Sequence, residues 1–312
     1  MTEPAVALRG VRKSYGPFEA LKGIDLDIHP GEVFSILGPN GAGKTTLVEI
    51  LEGYRSRSAG EATVLGIDPG RATQAWRARI GIVLQNTVVF DELSVEEVVE
   101  AFSHFYPQPL DVGRVIGLVG LDEKRRARCG KLSGGQKRRV DLALGLIGNP
   151  ELIFLDEPTT GLDPQGRRQL WDVVREFTAL GKTVVLTTHY LEEAEELADR
   201  VGIIIAGELA ALGTPREIGG RQEGFTHVRF EATGALANAP LPGGLAATMA
   251  SSLITIATTA PTATVVVLSA WARGLGFDEL PGLVVTRPSL EDVYLRMVAD
   301  ADAGGRAAEV VS

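Results

Sequence analysis

One stretch limits what this chain can fold into more than any other, namely Gly-Pro-Asn-Gly-Ala-Gly-Lys-Thr-Thr at residues 38–46. It matches the phosphate-loop pattern G-x-x-x-x-G-K-[ST]. The apolar run at 33–37 predicts a short buried strand before the loop, and residues 46–51 predict the beginning of a helix after it. The motif requires this position between a strand and a helix. The chain is therefore predicted to bind a nucleoside triphosphate, although a glycine-rich turn is the alternative.

The residue types in this loop suit the contacts that a triphosphate needs. Glycines leave room for backbone N–H groups to surround phosphate oxygens, and the following helix N-terminus adds unsatisfied donors. Lys44 is expected against the β- and γ-phosphates, and the Thr45 hydroxyl on Mg²⁺. The predicted triphosphate-binding residues of the loop are Gly38, Pro39, Asn40, Gly41, Ala42, Gly43, Lys44, Thr45 and Thr46.

Length, charge and cysteine content narrow the class of protein. The 312 residues leave room for one large domain and a small second one. A net charge of -9 argues against a chain built to hold a nucleic-acid backbone. The single cysteine, Cys129, excludes an intramolecular disulfide and fits a reducing, cytoplasmic setting. No basic region followed by an apolar run opens the sequence, so no signal peptide is predicted.

Residues 232–272 carry no charged side chain, which raises the alternative of a membrane span. Gly243, Gly244 and Pro261 interrupt this segment, and Ser and Thr occur throughout it. We therefore expect strands and a helix of a soluble domain at 232–272. A chain without a span needs a partner to move anything across a bilayer.

Apolar runs alternate with helical patterns over the first two thirds of the chain, which predicts a mostly parallel sheet covered by helices on both faces. The predicted strands are 5–9, 21–28, 33–37, 61–65, 80–84, 152–155, 183–187 and 201–206. A Ser-x-x-Glu capping box at 94–97 predicts a helix start. The other predicted helices are 111–121, 134–147, 164–180 and 191–198.

The pattern breaks at about 213–220, and we expect a domain boundary there. The predicted domains are a nucleotide-binding domain at 1–215, with a helical insert at about 86–148, and a small α+β domain at 216–298. Its strands are expected at 228–231, 253–257 and 283–286, with a helix at 262–272. Residues 299–312 are small and polar and predict a disordered tail.

Five further residues carry the chemistry that phosphoryl transfer needs. The ring of Tyr15 can stack on an adenine face. Gln85 ends a predicted strand and can reach the metal or the attacking water. Asp156 and Glu157 end the apolar run 152–155, where Asp156 can hold Mg²⁺ and Glu157 can orient or deprotonate the water. His189 follows the predicted strand 183–187. Each has an ordinary alternative, such as a surface aromatic, a solvated side chain or a capping histidine.

Residues 132–136, Leu-Ser-Gly-Gly-Gln, stand at the N-terminus of a predicted helix, which is a second phosphate-binding geometry. Together with the residues above, this motif makes the chain resemble the ATP-binding-cassette (ABC) ATPases over roughly residues 5–212. The resemblance implies an α/β fold, a P-loop NTPase cassette with a helical subdomain, with ATP and Mg²⁺ as cofactors. Residues 161–163 then match the D-loop, His189 the switch histidine, Gln85 the Q-loop and Tyr15 the A-loop.

The resemblance also implies a head-to-tail homodimer that holds two ATP molecules between its subunits. The residues implied to contact the ATP bound by the other subunit are Ser133, Gly134, Gly135, Gln136 and Asp163. The implied catalytic residues are Glu157, His189 and Gln85, and the implied metal ligands are Thr45, Gln85 and Asp156.

Two further segments resemble one branch of the family, the drug-resistance-type exporter ATPases. They are Pro-Ser-Leu-Glu-Asp-Val-Tyr-Leu at 288–295 and Lys-Arg-Arg-Val-Asp-Leu-Ala at 137–143. That family often has Phe where Tyr294 stands, and the alternative is that this segment only docks a terminal helix. The resemblance implies an ATPase subunit that powers efflux of a drug-like, lipid or other small molecule. Its partner would be a separate integral membrane permease, which would hold the chain at the cytoplasmic face of the membrane.

Two other functions remain as alternatives. One is a soluble ABC ATPase that acts on nucleic acid or the ribosome. Such proteins usually carry two cassettes, a long coiled coil, zinc cysteines or basic tails, and this acidic chain shows none of these, so no nucleic-acid partner is expected. The other is an importer ATPase, which the closing motif at 288–295 disfavours. The cargo contacts the membrane subunit, so no residue here predicts it.

Overall fold

The structure, a computed structural model, describes residues 3–84, 90–218, 226–243, 245–286, 289–295 and 297–299. The chain divides into two compact units between Pro215 and Arg216. The strands of the first unit are β1 (Val6–Tyr15), β2 (Phe18–Ile28), β3 (Val33–Leu37), β4 (Ala59–Val64), β5 (Ile80–Val83), β6 (Leu152–Asp156), β7 (Thr183–Thr188), β8 (Arg200–Ile205) and β9 (Glu208–Gly213).

Helices connect most of these strands. They are α1 (Lys44–Leu51), α2 (Gln74–Arg77), α3 (Val95–Ser103), α4 (Val112–Leu118), α5 (Gly134–Leu146), α6 (Pro164–Ala179) and α7 (Leu191–Leu197). Short 3₁₀ turns occur at Pro69–Arg71, Asp122–Lys124 and Cys129–Lys131, and a short helix, α8 (Pro215–Ile218), lies where the two units divide.

The main sheet has the strand order β5-β6-β7-β3-β8-β9, and all neighbours are parallel except β8 and β9. All five residues of β3 and all six residues of β7 are buried, as expected of central strands with helices on both faces. Because β3, β7 and β6 are neighbours and parallel, their carboxyl ends meet at one edge of the sheet. Ligands of parallel α/β sheets bind at this edge.

Three predicted strands do not join the parallel sheet, which corrects part of the topology expected from the sequence. β1, β2 and β4 form a separate antiparallel sheet in the order β2-β1-β4. The physical reason is the two-residue connection Gly16-Pro17 between β1 and β2, since so short a link permits only a hairpin. β9 was not predicted either. It follows β8 through Ala206 and Gly207, whose positive φ angles of 50° and 83° suit a hairpin turn.

The helical insert shares one continuous apolar core with one face of the main sheet. Val95, Val98, Val99, Val115 and Ile116 are at most 1% exposed, so they bring α3 and α4 together. Both helices begin at the caps that the sequence indicates: Ser94 and Glu97 form the predicted capping box of α3, and Asp111 accepts from Arg114 N at the start of α4.

Ser94→Ala is expected to lower the free energy of unfolding by about 1 kcal/mol. The Ser94 hydroxyl accepts from Glu97 N at 3.3 Å and donates to the Glu97 carboxylate at 2.8 Å. Removing it leaves an orphan N–H at the start of α3. Urea unfolding measures the change. The matched control is Ser56→Ala, an exposed loop serine, for which a change within about 0.5 kcal/mol is expected. Equal loss in both variants would contradict the cap.

The second unit is a four-stranded antiparallel sheet with one long helix. Its elements are β10 (Thr226–Glu231), β11 (Ala247–Ala250), β12 (Leu253–Thr258), α9 (Pro261–Gly274) and β13 (Val284–Thr286), with the strand order β11-β12-β10-β13. Val228, Phe230 and Ile256 of the sheet are fully buried with Leu268 of α9. Of these elements, only β11 was not predicted.

The uncharged segment 232–272 therefore contains β12 and most of α9, as the sequence predicts, together with the unpredicted β11. Among the described residues, no helix is both long enough and apolar enough to cross a bilayer. A further helical stretch at 290–295 begins with Ser289, whose backbone N–H donates to Asp292 Oδ2 at 2.9 Å. Arg229 of β10 pairs with the same Asp292 side chain at 3.0 Å. Of the predicted tail 299–312, residues 300–312 lie outside the described part of the chain.

Candidate functional site

The loop between β3 and α1 is held against its neighbours by two close backbone approaches. A Cβ at Gly43, which has φ 108°, would lie 2.7 Å from the carbonyl oxygen of Ala20. A Cβ at Gly38 would lie 2.2 Å from the carbonyl oxygen of Ile204. Both positions therefore require glycine, and the loop is fixed between β2 and β8. Pre-formed loops of this kind present backbone N–H groups to phosphate without a folding cost at the moment of binding.

Lys44 opens α1 and is only 7% exposed. Its ammonium donates to the carbonyl oxygens of Gly38 at 2.8 Å and Pro39 at 3.1 Å. Burial lowers the pKa of this ammonium, while the carboxylates of Glu157 and Asp156 act in the opposite direction. The charge of Lys44 thus lies under the loop, close to the two acids. A phosphate oxygen is a stronger acceptor for an ammonium than a neutral carbonyl.

One neighbouring hydroxyl, that of Thr187 on β7, contacts both acidic residues at the end of β6. Thr187 Oγ1 donates to Asp156 Oδ1 at 2.5 Å and accepts from Glu157 N at 3.1 Å. Thr187 is 1% exposed, so these bonds are shielded from water. This residue was not singled out from the sequence, because only the pairing of β6 with β7 brings it beside the acids.

Glu157 adopts a left-handed backbone conformation, with φ 43°. Such a φ is costly for a residue with a side chain and is found where surrounding contacts enforce it. Its carboxylate accepts from Thr160 Oγ1 at 3.3 Å and lies 3.3 Å from Nδ1 of His189. The ring of His189 packs on Tyr190 with ring centroids 4.1 Å apart. The structure thus brings together an acid and a histidine that stand 32 residues apart in the sequence.

The residues expected to contact the ATP of a partner subunit lie together, apart from Lys44 and Glu157. They line one cavity of about 430 Å³, whose wall includes Ser133, Gly134, Gly135, Gln136 and Asp163. Ser133 and Gln136 cap α5 reciprocally, at 3.3 and 3.0 Å, and Asp163 caps α6 by accepting from Gly166 N at 2.6 Å. Neither Lys44 nor Glu157 lines this cavity.

Tyr15 ends β1 with its side chain 40% exposed. Two cations lie near its ring, with Lys13 Nζ 5.1 Å and the Arg55 guanidinium 5.3 Å from the centroid. The ring is therefore an accessible aromatic surface beside positive charge, which suits a base carrying phosphates. Gln85, the predicted Q-loop residue, lies outside the described residues.

Arg138 is a second residue that the sequence did not single out for a role in the site. It lies on α5, is 4% exposed, and donates to backbone carbonyls on both sides of Glu157. A signal for it exists in the sequence, since an Arg at position 138 and an Asp at 141 share one helix face. That pattern indicates that Arg138 and Asp141 form a pair, but it does not indicate which backbone groups Arg138 binds.

Comparison with known proteins identifies the family to which this chain belongs. The ABC transporter family model matches residues 21–160. The daunorubicin resistance ATP-binding protein DrrA3 of Streptomyces coeruleorubidus is 38% identical over 312 residues, covering 96% of this chain and 98% of that protein. This chain belongs to the ABC transporter family. The linearmycin resistance ATP-binding protein LnrL of Bacillus subtilis (strain 168) is 36% identical, covering 72% of this chain and 74% of that protein.

Solved structures agree with this assignment. The chain of cbiO1 from Clostridium perfringens, part of the ABC transporter complex cbiONQ, superposes with a TM-score of 0.64 at 28% identity, covering 71% of this chain and 93% of that one. A post-hydrolysis dimer of the ATP-binding cassette MJ0796, bound to ADP and Pi, gives 0.60 at 28% identity, covering 67% and 98%. The predictions of the cassette fold, of ATP hydrolysis and of an exporter ATPase subunit are confirmed.

Proposed function

We propose that this ABC ATPase drives efflux of a drug-like, lipid or other small molecule through a separate membrane permease, using ATP bound at the edge where β3, β6 and β7 end. The observation that carries the catalytic part is the 3.3 Å approach of His189 to the Glu157 carboxylate, beside the buried Lys44. The part that concerns cargo is supported by the relatives, whose names refer to daunorubicin resistance, linearmycin resistance and Nod factor export.

In this proposal Lys44 and the backbone of residues 38–46 bind the triphosphate, and Tyr15 stacks on the adenine. Thr45, Asp156 and Gln85 would hold Mg²⁺, which supplies charge neutralisation for the phosphates when it is bound. The donor set fits this ion, because Asp156 and the exposed Thr45 both offer oxygen atoms. The described residues contain no group of three or more His, Cys, Asp or Glu side chains suited to a metal. Substrate phosphates and water would therefore complete the coordination.

Glu157 is proposed to position and deprotonate the attacking water, with His189 as the neighbour that holds its carboxylate. Three features keep that carboxylate in one orientation: the left-handed backbone, the bond that the Glu157 N–H donates to Thr187, and the bond that Thr160 donates to the carboxylate. A base that is already oriented does not lose freedom when the water is placed in line, and this lowers the barrier to transfer.

The proposed working form is a head-to-tail homodimer in which Ser133, Gly134, Gly135, Gln136 and Asp163 face the ATP of the partner subunit. Their grouping on one cavity away from Lys44 supports this, because one subunit alone separates the two halves of the site. The capping bonds of Ser133, Gln136 and Asp163 to their own helices hold these side chains and helix termini in place.

The permease is proposed to dock a cytoplasmic helix where β5 faces the helical insert. A cavity of about 360 Å³ lies there, and its wall includes Leu84, Tyr54, Phe102 and Tyr106. Burial raises the pKa of Glu52 on the same wall to about 8. Burial thus favours the neutral form of this carboxyl. Most of the wall is apolar, with Arg77 and Asp141 as charged members, so the cavity suits a mainly apolar helix face. Such docking would hold the ATPase at the cytoplasmic face of the membrane.

We also propose that residues 1–215 are the ATP-binding domain, with the helical insert at about 86–148, and that 216–298 form an accessory domain. The division between Pro215 and Arg216 supports that boundary. The antiparallel sheet of the second unit, with its own buried core, supports an accessory role separate from nucleotide binding.

The test is a pull-down from native membranes with the Glu157→Gln variant and ATP-Mg²⁺, read by mass spectrometry. A multi-span membrane protein in roughly equal amount is expected, because slow hydrolysis keeps the ATP-bound complex together. Repeating the pull-down after adding Lys44→Ala to the same variant is the control, since that chain should not form the ATP-bound state. Recovery of ribosomal proteins or DNA in place of a membrane protein would contradict the transport function.

A further inference from the structure

One buried arginine ties three segments of the first unit together. The guanidinium of Arg138 donates through Nε to the carbonyl of Pro158 at 3.0 Å, and through Nη2 to those of Asp156 at 2.9 Å and Glu157 at 3.4 Å. Its Nη1 bonds the carbonyl of Leu84, the last described residue before the gap at 85–89. Three of the four acceptors are thus consecutive residues centred on Glu157.

Burying a guanidinium is costly unless its donors are satisfied, and burial lowers its pKa. Here the fork of N–H groups meets carbonyl oxygens from two loops, and the carboxylate of Asp141 lies 4.0 Å from Nη1 on the same helix. Only arginine offers several donors in a rigid plane that can reach acceptors from separate segments at once. The arrangement therefore depends on the fork shape as well as on the charge.

The bonds of Arg138 have a consequence for the conformation of Glu157. The backbone of Glu157 is held at φ 43°, which is unfavourable without outside contacts. Arg138 binds the carbonyl before Glu157, its own carbonyl and the carbonyl after it. Such contacts resist rotation of both peptide groups that set where the carboxylate points. Since Arg138 belongs to α5, which begins at Gly134 directly after its cap Ser133, these contacts also connect the segment 133–136 to the acid.

We propose that Arg138 is a positioning residue for Glu157: it stabilises the left-handed turn at 156–158 that aims the carboxylate at the attacking water. The proposal rests on the catalytic role proposed above for Glu157. Within the described part of the chain, Arg138 bonds backbone carbonyls and pairs with the Asp141 carboxylate, so in this proposal it acts through Glu157 and not on the nucleotide. An arginine that merely fastened α5 to the sheet would affect stability without a specific effect on turnover.

The experiment compares Arg138→Gln and Arg138→Lys with the unmodified chain in steady-state ATP hydrolysis and in ATP binding. Arg138→Gln is expected to lower kcat about 100-fold, the cost of a small misplacement of a catalytic group. The KM and the Kd for ATP should stay within about 3-fold, because the phosphate loop is untouched. Arg138→Lys, which keeps the charge but loses the fork, should also lower kcat. Full activity of the lysine variant would overturn the argument from fork geometry.

The matched control is Arg57→Gln. Arg57 is distant from Glu157 in the sequence, and its hydrogen bonds to Asp68 and Gly60 do not reach the site. Arg57 also forms a bidentate fork, with Asp68 at 2.8 Å, and donates to the carbonyl of Gly60 at 2.8 Å. Its loss should cost stability while kcat stays within about 2-fold, as expected of sites that do not interact. If kcat fell equally in Arg138→Gln and Arg57→Gln, the effect of Arg138 would be one of general stability and the positioning role would be contradicted.

A double-variant cycle decides whether Arg138 works through Glu157. In the Glu157→Gln background, adding Arg138→Gln should change the residual rate by less than about 2-fold, since there is no base left to misplace. A further large loss there, or unchanged kcat in Arg138→Gln alone, would refute the positioning role while Glu157 keeps its own. Normal hydrolysis by Glu157→Gln alone would instead remove the catalytic assignment on which both proposals stand.

Discussion

Replacing Glu157 by Gln is expected to reduce kcat for ATP hydrolysis by about 10²- to 10⁴-fold, the usual contribution of a positioned general base. The amide cannot take a proton from water, although it keeps the size of the carboxylate. The bond that the Glu157 backbone N–H donates to Thr187 is unaffected by the change, so the turn should remain. Steady-state release of phosphate measures kcat.

ATP binding by Glu157→Gln should be retained or strengthened, because one negative charge near the phosphates is removed. Equilibrium binding of ATP-Mg²⁺ measures this, and a trapped ATP-bound dimer should appear by size-exclusion chromatography. The matched control is Glu151→Gln, directly before β6 and so at the opposite end of that strand, where the carboxylate pairs only with Arg79 among described side chains. That variant should hydrolyse ATP normally. Normal hydrolysis in both variants would remove Glu157 from its proposed role.

Lys44→Ala is expected to raise the Kd for ATP about 10- to 100-fold, since charged hydrogen bonds contribute about 1.5–3 kcal/mol each. The Lys44 ammonium already lies under the loop, bonded to Gly38 and Pro39, so a phosphate needs only to replace these acceptors. Its removal also takes away a cation that lies near the carboxylates of Asp156 and Glu157, so the triphosphate meets more negative charge at the site.

Titration with a fluorescent ATP analogue measures the loss of affinity in Lys44→Ala. Lys182→Ala is the control, because Lys182 is a lysine outside the loop that bonds Asn149 at 2.9 Å. Its Kd for ATP should not change. An unchanged Kd in Lys44→Ala would count against the loop as the phosphate site.

The parts of the fold that the sequence predicts are those set by short-range chemistry. Each of these local features depends on residues within about eight positions of one another: the phosphate loop between β3 and α1, the capping box at Ser94 and the helix start after Ser133. The acids at the end of β6 were recognisable because an apolar strand precedes them. Because these signals are local, they indicate the same loop, helix start or strand whichever tertiary fold surrounds them.

What the sequence does not predict depends on which strands become neighbours. The short Gly16-Pro17 link marks β1 and β2 as a hairpin, but no local pattern shows that β4 joins their antiparallel sheet and not the parallel one. Thr187 and Arg138 look ordinary in sequence, because their importance comes from acceptors about 20 to 54 positions away. The left-handed backbone of Glu157 is likewise imposed by its surroundings and not by its residue type.

The bond network at Thr187 runs in one direction. A hydroxyl has one hydrogen, and here Asp156 receives it, so only an oxygen lone pair is left to meet the Glu157 N–H. The hydrogen bonds therefore run from the Glu157 N–H to the Thr187 hydroxyl and from that hydroxyl to the Asp156 carboxylate. Thr187 cannot donate in the opposite direction, because an N–H group does not accept a hydrogen bond. Valine, which has the same shape but no hydroxyl, would remove both of these bonds and leave the Glu157 N–H only its bond to the Thr187 backbone carbonyl at 3.1 Å. Serine would keep the hydroxyl and with it both bonds. A single buried oxygen atom thus couples the side chain proposed to bind Mg²⁺ to the backbone of the residue proposed to activate water.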